Sequence, residues 1–350
     1  MASLCRTSET IKNMNLTDRI RACAQLGQKL ITDLPLQLDL LQKVKNENVW
    51  FDQEQVLFAV QNIVDGFLTE DLLSSWIQPY HLKDGQPKRI GIIMAGNLPL
   101  VGFHDVLSVF MAGHYSKIKL SHKDSLLWPY VIGLLSQIDV RTGPFFELVE
   151  KLNDIDALIA TGSDNSARYF HYYFAHHPHI IRNNRVGVAV ITGRESDYDL
   201  LMLGQDVFQY YGLGCRNVSS LMVPEGYDIT RLCKSWDQYA AARDNRAYSN
   251  NYDYNMAIYM MNKVPFLVND AILFVESEEI VSRLAVIHYT YYKDLSEVIT
   301  RYESNKDKIQ VMVCHEPLPG VPILSPGQAQ CPSLEDYADQ VDTLQFLQRL

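Results

Sequence analysis

Arg89-Ile-Gly-Ile-Ile-Met94-Ala-Gly-Asn97-Leu-Pro99 is where the chain changes character. Its run 90–94 is short, apolar and unbroken, the pattern of a strand buried on both faces. A glycine turn follows, and then an apolar stretch, 98–112, that is expected to be helical. Downstream the same alternation repeats. Strands are expected at 117–120, 156–160 and 186–192, and helices at 126–138, 164–175 and 197–210. Strand and helix taking turns in this way call for βαβ units and a parallel sheet. A second block has strands expected at 218–223, 271–275, 284–289 and 309–314, and helices at 228–242 and 254–261. The fold class is α/β.

Before this region the chain reads as helical. Leu16, Ile20, Cys23, Leu26 and Leu30 recur at helical spacing. Asp52 followed by Gln55 resembles a capping box, and Thr69 is a third candidate helix start. These 80 or so residues are a helical prelude rather than a separate catalytic unit. Past the second block, the Pro- and Gly-rich stretch 317–332 reads as a linker. The tail beyond it ends in apolar residues, Leu344, Phe346, Leu347 and Leu350, with an exposed look.

The chain has 350 residues, 47% hydrophobic and 21% charged, an ordinary globular composition. A net charge of −10 lacks the basic footprint of a nucleic-acid binder, yet leaves room for an anionic cofactor held by local lysines and helix N-termini. No apolar run approaches ~20 residues, so no membrane span is expected. No signal peptide is expected either, and the scattered cysteines contain no C-x-x-C pair. A cytoplasmic protein with reduced thiols and no metal site is the simplest reading. His176, His177 and His179 read as a solvated turn.

Ligands of open parallel sheets bind beyond the carboxyl ends of the strands. Asn97, Lys119, Ser121 and the run Thr161-Gly162-Ser163 all fall at such ends. Cys215, in Phe208-Gln-Tyr-Tyr-Gly212-Leu-Gly214-Cys215-Arg-Asn-Val, sits between flexible glycines at the start of the second block. Each has a plain alternative: a turn residue, an N-cap, an edge charge, a small buried thiol. Together they are expected to converge on one sheet edge. There they would make coherent chemistry: a thiolate that attacks a carbonyl, an amide that steadies the oxyanion, and groups that hold a dinucleotide. A G-x-G-x-x-G fingerprint is missing. Tyrosines at 248–254 and 289–292 read as packing rather than as the wall of an acyl tunnel, and Cys331 lacks a glycine elbow.

From about Arg89 onward the chain resembles the aldehyde dehydrogenase superfamily. It looks closest to the acyl-CoA reductase branch related to the fatty-acid reductase of bacterial luminescence (LuxC-type). The resemblance rests on five motifs in order. Ala95-Gly-Asn97-Leu-Pro99 is similar to the loop whose Asn helps form the oxyanion hole, and Lys119-Leu-Ser121 to the Lys-Pro-Ser motif that contacts the adenosine ribose. Gly162-Ser163 resembles the turn beside the pyrophosphate. Phe208-x-x-x-Gly212-x-x-Cys215 matches the spacing around the catalytic cysteine. Glu278-Glu279-Ile-Val-Ser-Arg resembles the segment whose Glu holds the nicotinamide ribose, with Glu279 in that role. There are departures. Leu213 and Val281 replace the usual residues, and no carboxylate stands in Ile181-Arg-Asn-Asn-Arg185, where the general base is expected.

The resemblance implies an aldehyde-dehydrogenase-like architecture. Residues 1–80 would be the helical segment, 81–205 a nicotinamide-cofactor domain, 206–316 a catalytic α/β domain, and 317–350 a tail returning to the cofactor domain or a subunit interface. It implies reduction of an acyl-CoA, or a related acyl thioester, to an aldehyde through an acyl-Cys215 intermediate. Asn97 would serve the oxyanion. Lys119, Ser121, Gly162, Ser163 and Glu279 would hold NADPH, or NADH in its place. A homodimer or homotetramer and an acyl-donor protein are further expectations. Redox-independent acyl transfer through the same cysteine, and a non-catalytic scaffold on the same fold, stay open as alternatives.

Overall fold

Two sheets organise the chain, each inside its own unit. The computed structural model describes residues 14–82, 86–162 and 164–350. The described chain up to Asn183 forms the first unit together with Pro332–Leu350, and Asn184–Cys331 forms the second.

The first sheet contains β1 (Arg89–Ile93), β2 (Tyr115–Lys119), β3 (Phe146–Leu148), β4 (Ala157–Thr161) and β5 (His179–Arg182). Their order is β3-β2-β1-β4-β5, and every pairing is parallel. The chain therefore winds outward from β1 in one direction and then restarts at β4 on its other side. That reversal makes the carboxyl ends of β1 and β4 a topological switch point. β3 and β5 are edge strands the sequence did not announce, because each is short and half-exposed. His179 opens β5, so the expected histidine turn ends in a strand.

Helices Leu16–Asp33, Leu38–Glu47, Gln53–Phe67 and Glu70–Ile77 precede the sheet. Three of them start where a side chain accepts the otherwise unsatisfied N–H groups of the first turn: Asn15, Asp52 and Thr69 take them from Asp18, Gln55 and Leu72. Their apolar faces share one core with the sheet, built around Leu26, Leu30, Trp76, Phe103, Phe110 and Trp128. The prelude is thus part of the first unit. So is the tail. Leu344 and Leu347 lie at 0% and 1% exposure in that same core, a correction to their exposed look. Trp76 Nε1 donates to Tyr337 Oη at 2.8 Å, and His104 Nε2 pairs with the Leu334 carbonyl at 2.9 Å. The buried Arg182 guanidinium reaches both Asp105 and Thr343 Oγ1, so a strand, a helix and the tail meet at one charge pair.

The second sheet runs β11-β6-β7-β10-β9-β8, with β6 (Val186–Val190), β7 (Val218–Pro224), β8 (Leu267–Val268), β9 (Leu273–Glu276), β10 (Val286–Tyr292) and β11 (Ile309–Cys314). All pairings are parallel except β8 with β9. β6, expected as the last strand of the first block, pairs with β7 and β11 instead, and the units divide at 183/184 rather than at 205/206. Glycine explains the fit. A Cβ on Gly187 would fall within 2.7–2.9 Å of the backbone at Arg216 and Asn217.

The stretch expected as a linker is folded into this unit. Leu318 and Val321 are buried in its core, and Leu324 N–H donates to Met312 O. The helix expected at 228–242 is two pieces, Thr230–Ser235 and a 3-10 turn Asp237–Asp244. The tyrosine-rich helix begins earlier than expected, as Arg246–Met261, and buries Tyr248 and Tyr252. Among the described residues no helix is long and apolar enough to cross a membrane.

Candidate active site

In the first unit the loops that leave β1, β2 and β4 lie at one edge. Residues 98–101, expected to be helical, instead form a turn, and the helix begins at Phe103. Pro99 removes an N–H, and three residues take positive φ: Gly96 (+91°), Leu100 (+54°) and Gly102 (+85°). Gly96 lies flush against the loop after β2. A Cβ there would stand 2.5 Å from Cβ and Oγ of Ser121. The structure therefore brings the Asn97 loop and Ser121 together. Asn97 is half-buried, and Lys119 is exposed at the end of its strand. Gly162 follows β4, packed so that a Cβ would meet Ser166 at 2.9 Å and Phe170 at 3.1 Å. Ser163 lies outside the described residues.

Two buried residues hold this edge. Asn48, 6% exposed, donates through Nδ2 to Lys123 O at 3.2 Å and Gly96 O at 3.5 Å. Asp124, 3% exposed, accepts the Leu100 N–H at 2.8 Å. Burial pushes its carboxyl up to about 7, against the opposing pull of the Leu100 N–H.

In the second unit Cys215 is exposed on a β-turn. Asn217 N–H donates to Gly214 O at 3.1 Å, which places Cys215 and Arg216 at the turn's corner. The turn is locked by the Asn217 side chain. Its Oδ1 accepts from Gly214 N–H at 2.8 Å, and its Nδ2 donates to the carbonyls of Asp206, Val207 and Gln209 at 2.9, 3.3 and 2.9 Å. Those carbonyls lie at the C-terminal end of helix Asp197–Phe208, where the helix itself runs out of N–H donors. Between helix and turn, Tyr210, Tyr211 and Gly212 all take positive φ. The fully buried Asp206 accepts from Gly327 and Ala329 N–H at 2.7 and 2.8 Å, and Arg216 Nε donates to Ala329 O. Burial lifts the Asp206 carboxyl to about 6.

The loop carrying Glu279 runs past the same end of β7. Ser219 Oγ donates to Ile280 O at 2.6 Å, and Leu284 lies beside Gly212. Glu279 is exposed, with its carbonyl paired to His288 Nδ1 at 2.8 Å. Neighbouring Glu278 is engaged by Thr290 and Arg301.

One expectation needs correction. Asn97, Ser121 and Gly162 do share the carboxyl edge of one sheet, but Cys215 does not. It precedes β7 and so stands at the amino end of a strand in the other sheet. The candidate residues form two sets, one in each unit. Sequence reasoning missed Asn48, Asp124, Asp206 and Asn217. Only Asn217, two residues from the thiol, carried any local signal. Among the described residues no group of His, Cys, Asp and Glu could hold a metal ion.

No protein-family model and no curated protein matches the chain. Solved structures do. The chain aligns with aldehyde dehydrogenase 21 from Physcomitrella patens, solved in complex with the reaction product succinate, at a TM-score of 0.70 and 11% identity, over 97% of this chain and 85% of that one. An aldehyde dehydrogenase of Mycobacterium tuberculosis complexed with NAD+ aligns at 0.65 and 12%, over 85% of this chain and 73% of the other. Proline utilization A aligns at 0.66 and 15%, over 89% of this chain and 37% of that much longer one. The fold of this chain is that of the aldehyde dehydrogenases.

Proposed function

We propose that the protein is a nicotinamide-dependent oxidoreductase that reduces an acyl thioester, such as an acyl-CoA, to an aldehyde. The observation that carries the reading is the Cys215 elbow: an exposed thiol on a turn whose backbone is fixed by a buried asparagine. Thiolate is nucleophile and leaving group alike near neutral pH, so thioester exchange needs no strong base. The segment 181–185 offers no carboxylate to activate water, and Arg182 within it is engaged by Asp105 and Thr343. The missing carboxylate favours a thiol over water as the acyl partner.

We assign a dinucleotide to the edge of the first sheet, where the topological switch point lies; Gly96 and Gly162 let the loops after β1 and β4 pack closely there against Ser121 and Ser166. Lys119, Ser121 and Gly162 would hold it there, with Glu279 assigned to the nicotinamide ribose. Two solved neighbours are NAD+ complexes. We assign NADPH because Lys119 and Lys123 are exposed after β2, whereas Asp124 is turned inward to Leu100. A bound nicotinamide supplies the hydride to the acyl carbon. The protein's own part begins when Cys215 attacks the thioester carbonyl and expels the thiol. Asn97 and a backbone N–H beside Cys215 steady the oxyanion, worth ~3 kcal/mol per donor. Return of the cysteine as leaving group frees the aldehyde. We further propose that the protein acts in the cytoplasm as a homo-oligomer, with the acyl group delivered by CoA or an acyl-donor protein.

The test is an NADPH- and NADH-oxidation assay over acyl-CoA chain lengths, with Cys215→Ala alongside. Aldehyde should form, and the variant should lose at least ~10³-fold of the rate. Acyl exchange without nicotinamide consumption would replace the reading with acyl transfer. Neither activity would remove the enzyme reading altogether.

A further inference from the structure

The loop after β1 is held in an unfavourable shape. Leu100 is an L-residue in left-handed backbone, a conformation that persists only where surrounding structure enforces it. The enforcing contact comes from 24 residues away, where Asp124 Oδ2 accepts the Leu100 N–H at 2.8 Å. A second contact comes from the helical prelude, where Asn48 ties Gly96 O to Lys123 O. Asn97 lies between these two tethers. Its backbone cannot shift without breaking one of them or driving Gly96 into Ser121.

We propose that Asp124, seconded by Asn48, is a positioning residue for Asn97: its ionised carboxylate sets where that amide is presented. The inference rests on the oxyanion role given to Asn97 above. Protonation would weaken the contact, because a charged acceptor binds an N–H about twice as strongly as a neutral one. The groups bearing on this titration are few. Burial raises Asp124, the Leu100 and Leu127 N–H groups oppose, Glu47 from helix Leu38–Glu47 adds a smaller upward push, and the balance is about 7; Lys123 flanks it in the chain. Ionised Asp124 therefore dominates only above about pH 7; because the Leu100 N–H favours the ionised form, a local opening that breaks this contact while Asp124 stays buried should become easier as the pH falls through that value.

The test uses hydrogen exchange of the peptide spanning Leu100 in the whole protein, from about pH 6 to 8 and corrected for intrinsic exchange. In the wild type, protection should rise as Asp124 ionises. In Asp124→Asn, which mimics the protonated form, protection should be low and flat. In the reductase assay, Asp124→Asn should lower kcat about tenfold at pH 8 and lose the acid limb near pH 7, with KM for NADPH within about twofold. Wild-type protection at Leu100 that ignores pH overturns the proposal, and so does an Asp124→Asn profile matching the wild type. Should the variant fail to fold, the wild-type titration alone decides. If no thioester is reduced, the reductase reading falls while the exchange data still judge the clamp.

Discussion

The two candidate loops solve one problem with the same materials assembled differently. Each contains three residues at positive φ: 96, 100 and 102 in the first unit, 210, 211 and 212 in the second. Each is held by a buried Asn that donates to backbone carbonyls and supported by a buried Asp that accepts backbone N–H groups. The difference is the range of the two asparagines. Asn217 reaches back only as far as Asp206, so it fixes the Cys215 turn to the end of its own helix, and the longer ties of Asp206 and Arg216 to 327–329 stay within the second unit. Asn48 reaches 48 residues forward to Gly96 and 75 to Lys123, so the Asn97 loop depends on the helical prelude being docked. A loop held locally can keep its shape through partial opening of its unit. A loop held from afar follows the stability of whatever holds it.

Removing the clamps one at a time should separate these cases. Asn217→Ala leaves three carbonyls and the Gly214 N–H to find other partners, and should destabilise the second unit by ~4 kcal/mol, because several buried polar groups, each worth about 1–3 kcal/mol, lose a partner at once. Denaturant titration followed by exchange of peptides from each unit would show the loss confined to Asn184–Cys331. An equal loss in both units would break the claim of locality. Gly96→Ala should cost ~3 kcal/mol, from positive φ and the contact with Ser121, and should appear in first-unit peptides. Asn48→Ala removes the donor shared by the Gly96 and Lys123 carbonyls and should cost ~2 kcal/mol. Its exchange signature should appear both in 94–103 and in the turn around Trp50, whose N–H donates to Asn48 Oδ1. A change at only one of those places would show that the prelude does not brace the loop.

The same contrast explains what could be read in advance. Alternating apolar runs announced the strands with continuous burial, β1, β4, β6, β7 and β11, because full burial leaves an unbroken Ile, Val and Leu signature. β3 and β5 are half-exposed edge strands and left no such trace. The helix starts at Asp52 and Thr69 were legible, since a cap and the N–H it accepts lie within one turn. The pairing of β6 with β7 was not, because sheet membership depends on a contact such as that of Gly187 with the chain at 216–217. Cys215 and Gly214 drew attention through spacing alone. Asn48 and Asp124 could not, because each looks like a surface polar residue until the fold buries it. For the same reason the tail's Leu344 and Leu347 resembled an exposed end, although the core they complete is drawn from residues 14–180.

The last test probes the second clamp by its charge. Asp206 titrates near 6 when folded, above the ordinary 3.8, because burial disfavours the carboxylate despite two N–H donors. Between those values the native state holds a proton that the unfolded chain has released. Native protons exceed unfolded ones there, so this group's contribution to stability falls as the pH rises from about 4 to about 6, by at most ~1.4 kcal/mol per pH unit. Asp206→Asn removes the titration. Its stability curve should therefore lack that downward component, and the difference between the wild-type and variant curves isolates it from carboxylates such as Asp199, whose lowered values act in the opposite sense at lower pH. For unfolding of the first unit as a whole, Asp124 ought to give the same kind of difference curve, its window opening at the same pH and closing near 7, whereas the local opening at Leu100, which leaves Asp124 buried, responds in the opposite sense. Two windows, each confined to peptides of its own unit, would mean that the paired clamps are energetically separate. A single window shared by both units would mean that the local and the distant clamp open together, and the distinction drawn from their range would fail.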